Sequence, residues 1–261
     1  MDDTRTRTET RPASAPAWAW LWVPLNLLQF AFTLLWTAGC ISLALLVQVL
    51  TRSPDTALRL ASRLWAPGLL TGAGARLEVL GGEDVDWSQP CLVVANHQSV
   101  IDICALFRAI PVPLRFLLKE EMHQMPFVNW YARATGMLFI ARDDRRSGPL
   151  LRRQAAALLG SGRCLCLFPE GTRSRSGVLG PFKAGSLQAA IDAGVPVLPV
   201  ALHGTGRVLP VQGFFRARPG TIRVGIGQPI AVRNDDGAAV GRQELAARAQ
   251  AQVAAMLARM D

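Results

Sequence analysis

Residues 91–102 read CLVVANHQSVID, and this stretch predicts a buried strand that passes through a polar turn into a helix. The strand is predicted at Cys91–Ala95, a short apolar run of the kind that a sheet buries on both faces. Ser99 is a favourable helix N-cap residue, and the pattern continues as a predicted helix over Val100–Ala109. A buried strand followed at once by a helix is typical of an α/β domain.

The same pattern recurs along the chain from about Ala75 onward. Short apolar runs bounded by glycine, proline or asparagine predict strands at Arg76–Leu80, Cys91–Ala95, Leu114–Leu118, Met137–Ile140, Cys164–Phe168, Val197–Leu202 and Thr221–Ile226. Helices are predicted at Val100–Ala109, Glu120–Ala134, Pro149–Leu159, Gly185–Ala193 and Arg242–Met260. This alternation predicts an α/β fold with a mixed, partly parallel sheet covered by helices on both faces. A chain of 261 residues has room for one such domain and an additional segment.

The additional segment is an apolar run near the N-terminus. No charged residue occurs from Pro12 to Thr51, and a helix that crosses a bilayer needs about 20 apolar residues. We therefore expect a membrane-embedded helix or helical hairpin at residues 17–51, with Pro24 and Gly39 as points where it could divide into two membrane helices. A cleaved signal peptide has a shorter apolar core of about 7–15 residues, and a buried core helix is the remaining alternative.

The flanking segments complete the predicted organisation. Residues 1–16 are polar and are predicted to be disordered, and residues 52–74 are expected to form an amphipathic helix and a linker. That helix, at Asp55–Trp65, carries several arginines on one face, which suits either a membrane headgroup layer or an ordinary protein surface. The α/β domain is predicted at residues 75–232, followed by a C-terminal helix within residues 233–261.

The charge and the cysteine content of the chain bear on its expected partners, metals and disulfides. The formal net charge is +9, but only two of the 28 basic residues are lysines, Lys119 and Lys183. Such arginine-rich and alanine-rich usage reflects coding bias, so much of the charge needs no function and no nucleic-acid partner is predicted. The five cysteines lie in apolar runs and show neither metal-ligand spacing nor a disulfide framework. We expect reduced thiols, no metal, and a main domain that faces the cytosol.

His97 and Asp102 are the first candidate functional residues. Residues five apart do not share a face of a regular helix, but these two can meet if His97 lies in the turn and Asp102 in the first helical turn. Two interpretations remain open. Ser99 and Asp102 could form a capping box, or Asp102 could orient the imidazole as a general base that takes a hydroxyl proton near neutral pH. No Gly-x-Ser-x-Gly motif is present, which favours direct attack by a substrate hydroxyl on an activated acyl donor.

Residues 168–174 read FPEGTRS and form the second group of candidates, directly after a predicted strand. Gly171 permits close approach of the backbone to a ligand, and Arg173 offers a planar guanidinium that suits a phosphate. Glu170 either accepts a hydrogen bond from a substrate hydroxyl or holds the loop in place. Lys183 lies next to a predicted helix whose N-terminal amides could also face an anion.

Together these motifs resemble the four sequence blocks of the glycerolipid acyltransferase family, typified by 1-acylglycerol-3-phosphate acyltransferases. Residues 96–102 match the family's N-H-x-x-x-x-D block, and residues 168–174 match F-P-E-G-T-R-S without departure. Residues 136–142, GMLFIAR, resemble the second block, and residues 195–200, VPVLPV, resemble the fourth. The resemblance covers about residues 75–230.

The resemblance implies a membrane-bound O-acyltransferase that takes its acyl group from acyl-CoA or acyl carrier protein and needs no cofactor or metal. It implies that His97 is the general base and that Asp102 orients it. The substrate-binding residues that it implies are Arg142, Glu170, Gly171, Thr172, Arg173 and Lys183. The expected reaction acylates the sn-2 hydroxyl of 1-acylglycerol 3-phosphate and gives phosphatidic acid, at the cell membrane with the catalytic domain on the cytoplasmic side.

Two alternatives remain beside this expectation. The same chemistry could serve another acceptor, either a lyso-ornithine lipid or another lysophospholipid. The chain could also be a non-catalytic membrane protein that retained the fold. Membrane lipids and the acyl donor are the expected partners, and the sequence gives no indication of the oligomeric state.

Overall fold

The computed structural model describes residues 22–140, 147–211 and 216–260. In these ranges the fold is built on one seven-stranded sheet. Its strands are β1 (Ala75–Leu80), β2 (Leu92–Ala95), β3 (Leu114–Lys119), β4 (Leu138–Ile140), β5 (Cys164–Leu167), β6 (Val197–His203) and β7 (Gly220–Ile226). Every predicted strand is confirmed, with ends that differ by at most one residue.

The strands lie in the order β1-β7-β6-β2-β5-β3-β4. Each neighbouring pair is parallel except β6 and β7, which run antiparallel. The predicted mixed, partly parallel sheet is therefore confirmed. Because β2, β5 and β6 are parallel neighbours at the centre, their carboxyl ends meet at one edge of the sheet, which is where open α/β sheets usually bind ligands.

Helices cover both faces of the sheet. The α-helices are α1 (Trp22–Thr51), α2 (Pro54–Leu60), α3 (Ala66–Gly72), α4 (Asp102–Ala109), α5 (Pro126–Thr135), α6 (Ser147–Gly160), α7 (Gln188–Ala193), α8 (Thr205–Val208) and α9 (Arg242–Ala258). A π-helical turn at Ala61–Trp65 joins α2 to α3, and 3-10 turns at Glu120–Gln124 and Ala184–Leu187 precede α5 and α7.

Three helices differ from their predicted extents by more than two residues at one end. The helix predicted over Glu120–Ala134 is a 3-10 turn followed by α5, which begins at Pro126 because proline lacks an N–H and fits the first turn of a new helix. The helix predicted over Gly185–Ala193 likewise consists of a 3-10 turn and α7. The helix predicted over Asp55–Trp65 is longer, because it continues through the π-helical turn to Gly72.

Alternating side chains of the sheet contribute to two separate cores. Val93 and Ala95 of β2 belong to a core that also contains residues of α3, α4 and α5. Leu92 and Val94 belong to the core on the opposite face, together with residues of α6, α7 and α9. The sheet therefore separates α2–α5 from α6, α7 and α9.

The N-terminal apolar segment is a single helix within residues 22–51. α1 passes through Gly39 without a break, because a glycine inside a helix costs only about 1 kcal/mol. Pro24 lies two residues after the start of the described part of α1, and the helix continues from it without a break. The division into two helices that these residues allowed is not observed, and residues 1–21 lie outside the described ranges. With 30 residues, α1 is long and apolar enough to cross a membrane, and side chains such as Leu35 are largely exposed, which indicates membrane association rather than a core helix.

A buried arginine links the N-terminal helices to the sheet. Arg115 of β3 is almost completely buried, and its Nη2 donates to Oδ1 of Asp55 in α2 at 2.7 Å. Its Nε donates to the carbonyl oxygen of Thr135 at the end of α5 at 3.0 Å. Because a buried charge without partners is strongly unfavourable, these contacts fix α2 and α5 against β3.

Candidate active site

The turn after β2 is held to the neighbouring strand by an amide side chain. Asn96, which is buried, donates from Nδ2 to the carbonyl oxygen of Leu202 at 2.9 Å. Its Oδ1 accepts from the backbone N–H of Leu202 at 2.7 Å. The side chain thus continues the pairing of β2 with β6 by one step while the backbone leaves the sheet. His97, the next residue, is therefore presented at the carboxyl edge of the sheet.

His97 and Asp102 are in direct contact, as the spacing predicted. Nδ1 of His97 lies 2.7 Å from Oδ2 of Asp102. The Asp102 side chain is completely buried, and the His97 side chain is 15% exposed. Because Nδ1 faces the carboxylate, Nε2 is the ring nitrogen that can take a proton from a substrate. The imidazole ring also stacks on Phe168, with ring centres 3.9 Å apart, and this contact fixes its plane.

The capping interpretation of Asp102 is confirmed in part. Oδ2 accepts from the backbone N–H groups of Gln98 and Ser99, at 2.8 and 2.9 Å. The Ser99 hydroxyl does not complete the box, because its oxygen accepts from the N–H of Ile101 at 3.4 Å and not from that of Asp102, while it donates to the carbonyl oxygen of Leu209. α4 accordingly begins at Asp102 and not at Val100. One oxygen of Asp102 therefore serves both the helix start and the imidazole.

Glu170 joins the loop after β5 to the turn that carries His97. Its Oε1 accepts from the backbone N–H of His97 at 2.7 Å, and its Oε2 accepts from the N–H of Gly180 at 3.0 Å. The carbonyl oxygen of His97 accepts from the N–H of Ser174 at 2.7 Å, so both backbone groups of His97 are held by this loop. Burial raises the pKa of the Glu170 carboxyl, although both N–H contacts act to lower it. Of the two roles predicted for Glu170, the geometry supports the one in which it holds the loop.

Gly171 occupies a conformation that other residues rarely adopt. Its φ angle is +79°, and a Cβ atom added here would lie 2.5 Å from Nζ of Lys183. Glycine thus allows the Lys183 ammonium group to lie directly over the loop backbone. Two of the predicted binding residues, Gly171 and Lys183, are therefore brought together.

Exposed positive charge surrounds this loop. The side chains of Thr172, Arg173 and Lys183 are exposed. Among the described residues, no acidic side chain forms an ion pair with Arg173 or Lys183. Positive side chains without an acidic partner, on a loop that contacts the backbone of His97, suit an anionic group of a substrate. Arg142 lies outside the described ranges, so its place in the site stays a prediction.

An apolar cavity of about 380 Å³ begins beside the turn that carries His97. Val100 and Ile101 line it near His97, and further lining residues come from α1, α3, α4 and α5. The sequence did not predict this cavity, because its wall combines side chains from helices that are far apart along the chain. Within the described ranges, no three His, Cys, Asp or Glu side chains are arranged to hold a metal ion. The expectations of no metal and no cofactor remain predictions.

For two residues of the site, Asn96 and Phe168, no role was predicted from the sequence. Both positions could have been noticed in the sequence. Asn96 is a polar residue directly after one apolar strand, and Phe168 is the first residue of the second motif, directly after another apolar strand. What each contacts depends on strand order, and strand order was not predictable from either motif alone.

Comparisons with known proteins show what this chain is similar to. A family model described as Acyltransferase matches residues 76–203. A 1-acyl-sn-glycerol-3-phosphate acyltransferase of Pseudomonas aeruginosa is 35% identical over 193 residues, which cover 72% of each chain. A protein of the same organism named lyso-ornithine lipid O-acyltransferase is 35% identical over 170 residues, 59% of this chain and 65% of its own. The chloroplastic 1-acyl-sn-glycerol-3-phosphate acyltransferase BAT2 of Brassica napus is 32% identical over 203 residues, 74% of this chain, but this chain spans only 58% of its length.

A solved structure shares the whole fold. The 1-acyl-sn-glycerophosphate acyltransferase PlsC of Thermotoga maritima matches with a TM-score of 0.75 and 27% sequence identity. The match covers 92% of this chain and 98% of that one. The chain therefore belongs to the acyltransferase family that includes the 1-acyl-sn-glycerol-3-phosphate acyltransferases.

Proposed function

We propose that the protein transfers a fatty acyl group from the thioester of acyl-CoA or acyl carrier protein to the sn-2 hydroxyl of 1-acylglycerol 3-phosphate, giving phosphatidic acid. The observation that carries this proposal is the His97–Asp102 contact of 2.7 Å at the carboxyl edge of the sheet. Membership of the family and the name of the Pseudomonas aeruginosa relative support the choice of acceptor.

The proposed reaction is a direct transfer. Nε2 of His97 takes the proton of the acceptor hydroxyl as the hydroxyl oxygen attacks the thioester carbonyl carbon. The new C–O bond forms, the C–S bond breaks, and the thiolate of the donor receives the proton that His97 holds. Asp102 stabilises the imidazolium between these two transfers. All five cysteines are buried as free thiols, which supports a route without a cysteine-bound acyl intermediate.

The loop after β5 is the proposed site for the acceptor phosphate. Arg173 and Lys183 carry exposed positive charges beside the catalytic turn. A guanidinium binds phosphate through two parallel hydrogen bonds, so Arg173 is the main proposed ligand. Lys183 adds a second charge over Gly171, while Thr172 and Arg142 are further proposed contacts.

The apolar cavity and α1 support a reaction at a membrane. The cavity starts at Val100, three residues after His97, and its apolar lining is suited to a fatty acyl chain. We propose that α1 attaches the protein to the cell membrane with the α/β domain on the cytoplasmic side, where soluble acyl donors are found.

A second acceptor merits the same test. The relative named lyso-ornithine lipid O-acyltransferase has the same percentage identity to this chain as the 1-acyl-sn-glycerol-3-phosphate acyltransferase of the same organism. A lyso-ornithine lipid also offers a free hydroxyl, but it carries no phosphate for Arg173 to bind.

The test is an acyl-transfer assay with the purified protein in detergent–lipid micelles. Labelled acyl-CoA and acyl carrier protein are each offered with 1-acylglycerol 3-phosphate, a lyso-ornithine lipid and lysophosphatidylcholine, and products are resolved by mass. We expect phosphatidic acid as the main product, and a loss of about 10²–10⁴ in rate for His97→Ala, as is usual for a lost general base. His123→Ala is the matched control, since His123 contacts Asn129 and Phe139 outside the catalytic turn and should leave the rate unchanged. A preference for the lyso-ornithine acceptor, or near-normal turnover by His97→Ala, would refute the proposal.

A further inference from the structure

α5 carries large apolar side chains on its outer surface. Phe127 and Trp130 are 45% and 53% exposed, and their rings contact each other edge to face at 5.4 Å. Met125, which directly precedes the helix, is 48% exposed. We call these three residues the α5 face. Contiguous exposed apolar side chains are a feature of surfaces that bind a protein or a membrane.

The other side of α5 closes the apolar cavity. Val128 and Tyr131 line the cavity, whereas Phe127 and Trp130 do not. Met125 belongs to both surfaces, because it lines the cavity and is also exposed. Leu34 of α1 likewise lines the cavity and is 54% exposed. The cavity therefore reaches the protein surface between α1 and α5.

The α5 face continues the exposed surface of α1. α1 packs against α5 and exposes leucines such as Leu28 and Leu35 along its length. A lipid layer that surrounds α1 therefore also meets the helix beside it. Tryptophan is enriched at membrane–water interfaces, and tryptophan and phenylalanine are both typical of the apolar face of helices that lie in the interface.

The charges next to the α5 face indicate whether electrostatic attraction or apolar insertion would hold it to a membrane. Arg133 lies on α5, and the preceding turn carries Glu120 and Glu121 together with Lys119, whose Nζ lies 3.7 Å from a carboxylate oxygen of Glu121. On α5 and the residues that lead into it, positive and negative charges are thus balanced, unlike the basic surface that electrostatic attraction to anionic lipid requires. Apolar insertion is the remaining source of affinity.

We propose that the α5 face inserts into the lipid layer beside α1 as a second membrane contact. The apolar cavity then opens into lipid and not into water, and an acyl chain can pass between the membrane and the cavity without crossing an aqueous gap. The acyl chain in the cavity rests on the proposed function, whereas the membrane contact does not.

Single labelled cysteines test the contact without any need for turnover. All five native cysteines are buried, so Trp130→Cys adds one exposed thiol for an environment-sensitive fluorophore. Leu150→Cys is the matched control, because Leu150 is 60% exposed and lies on α6, which packs on the opposite face of the sheet. Each labelled full-length protein is reconstituted into phosphatidylcholine vesicles with and without brominated acyl chains.

We expect brominated lipid to quench the label at position 130 several-fold more strongly than the label at position 150. Because the contact is apolar, the difference should persist at high salt. Equal quenching at the two positions, whether strong or weak, would overturn the proposal. A label at position 130 that is shielded from aqueous iodide but not quenched by brominated lipid would also overturn it, since a protein segment or a second copy would then cover the α5 face.

Discussion

Glu170→Gln tests whether the carboxylate positions His97 or binds substrate. Each oxygen of Glu170 accepts one backbone N–H, from His97 at 2.7 Å and from Gly180 at 3.0 Å. Glutamine has nearly the same shape, but one of its two positions is an NH2 group. Whichever way the amide is turned, one backbone N–H then faces another donor, and the connection between the two loops is broken at one end.

The expected fall in rate for Glu170→Gln follows from the hydrogen bond that is lost. A hydrogen bond to a charged group contributes roughly 1.5–3 kcal/mol, which corresponds to about 10–150-fold in rate if the whole loss falls on the placement of His97. Because Glu170 in this interpretation contacts the backbone of the catalytic turn and not the substrate, kcat should fall while KM for the acceptor changes little.

Saturation curves for donor and acceptor distinguish the two roles. Glu244→Gln, the same chemical change at an exposed residue of α9 that pairs with Arg248, is the matched control and should behave as the unchanged protein. If Glu170→Gln instead raises KM for the acceptor with kcat preserved, the positioning role is wrong and Glu170 is a substrate ligand.

The raised pKa of Glu170 adds a stability measurement. Burial raises this pKa in the folded protein, so the folded state holds the proton more tightly than the unfolded state. The free energy of unfolding should therefore fall as pH rises from the ordinary glutamate pKa of about 4.3 through the raised value, and level off above it. Glu170→Gln should remove that slope in thermal unfolding measured in detergent. An identical pH dependence in both proteins would contradict the assignment.

Three further substitutions test other parts of the site. Asp102→Asn keeps an oxygen for the backbone N–H groups but loses the carboxylate opposite the imidazole, so turnover should fall by about 10²–10⁴; unchanged turnover would leave Asp102 with a capping role alone. Arg173→Ala should lower acceptor efficiency by about 10–150-fold, the value of one charge-assisted hydrogen bond, with partial recovery in Arg173→Lys, and an equal loss with a phosphate-free lyso-lipid would argue against phosphate binding. Gly171→Ala brings a Cβ to within 2.5 Å of Lys183 Nζ at a φ of +79°, so acceptor efficiency should fall in saturation curves, and normal efficiency would show that this loop is free to adjust.

The strands were predictable because each is a short apolar run with a clear boundary. Their order was not, because β2 pairs with β6 across about a hundred residues, and such pairing is set by tertiary packing. The division of a predicted helix at Pro126 was missed because its apolar periodicity continues through the 3-10 turn. The signal for that division was the proline itself.

The contacts of the site also differ in predictability according to how far apart their residues lie along the chain. The His97–Asp102 contact joins residues only five apart, so spacing and turn geometry were enough to predict it. The Glu170–His97 contact joins residues 73 apart, and nothing in either motif shows which backbone N–H the carboxylate would meet. The contacts that both interpretations of Asp102 require are present on a single oxygen, which accepts from the backbone at the helix start and contacts the imidazole. The general-base role itself stays a prediction.

The contact between Arg115 and Asp55 has a mechanical consequence. It ties α2, which follows the membrane helix within three residues, to the central sheet, and Arg115 also holds the end of α5. α1 is thus joined to the α/β domain by a rigid connection and not by a flexible linker. If α1 lies in the membrane and His97 is the general base, as proposed, this connection sets the distance of His97 from the bilayer, and a lipid whose reactive hydroxyl lies at a different depth has to move along the bilayer normal to meet it.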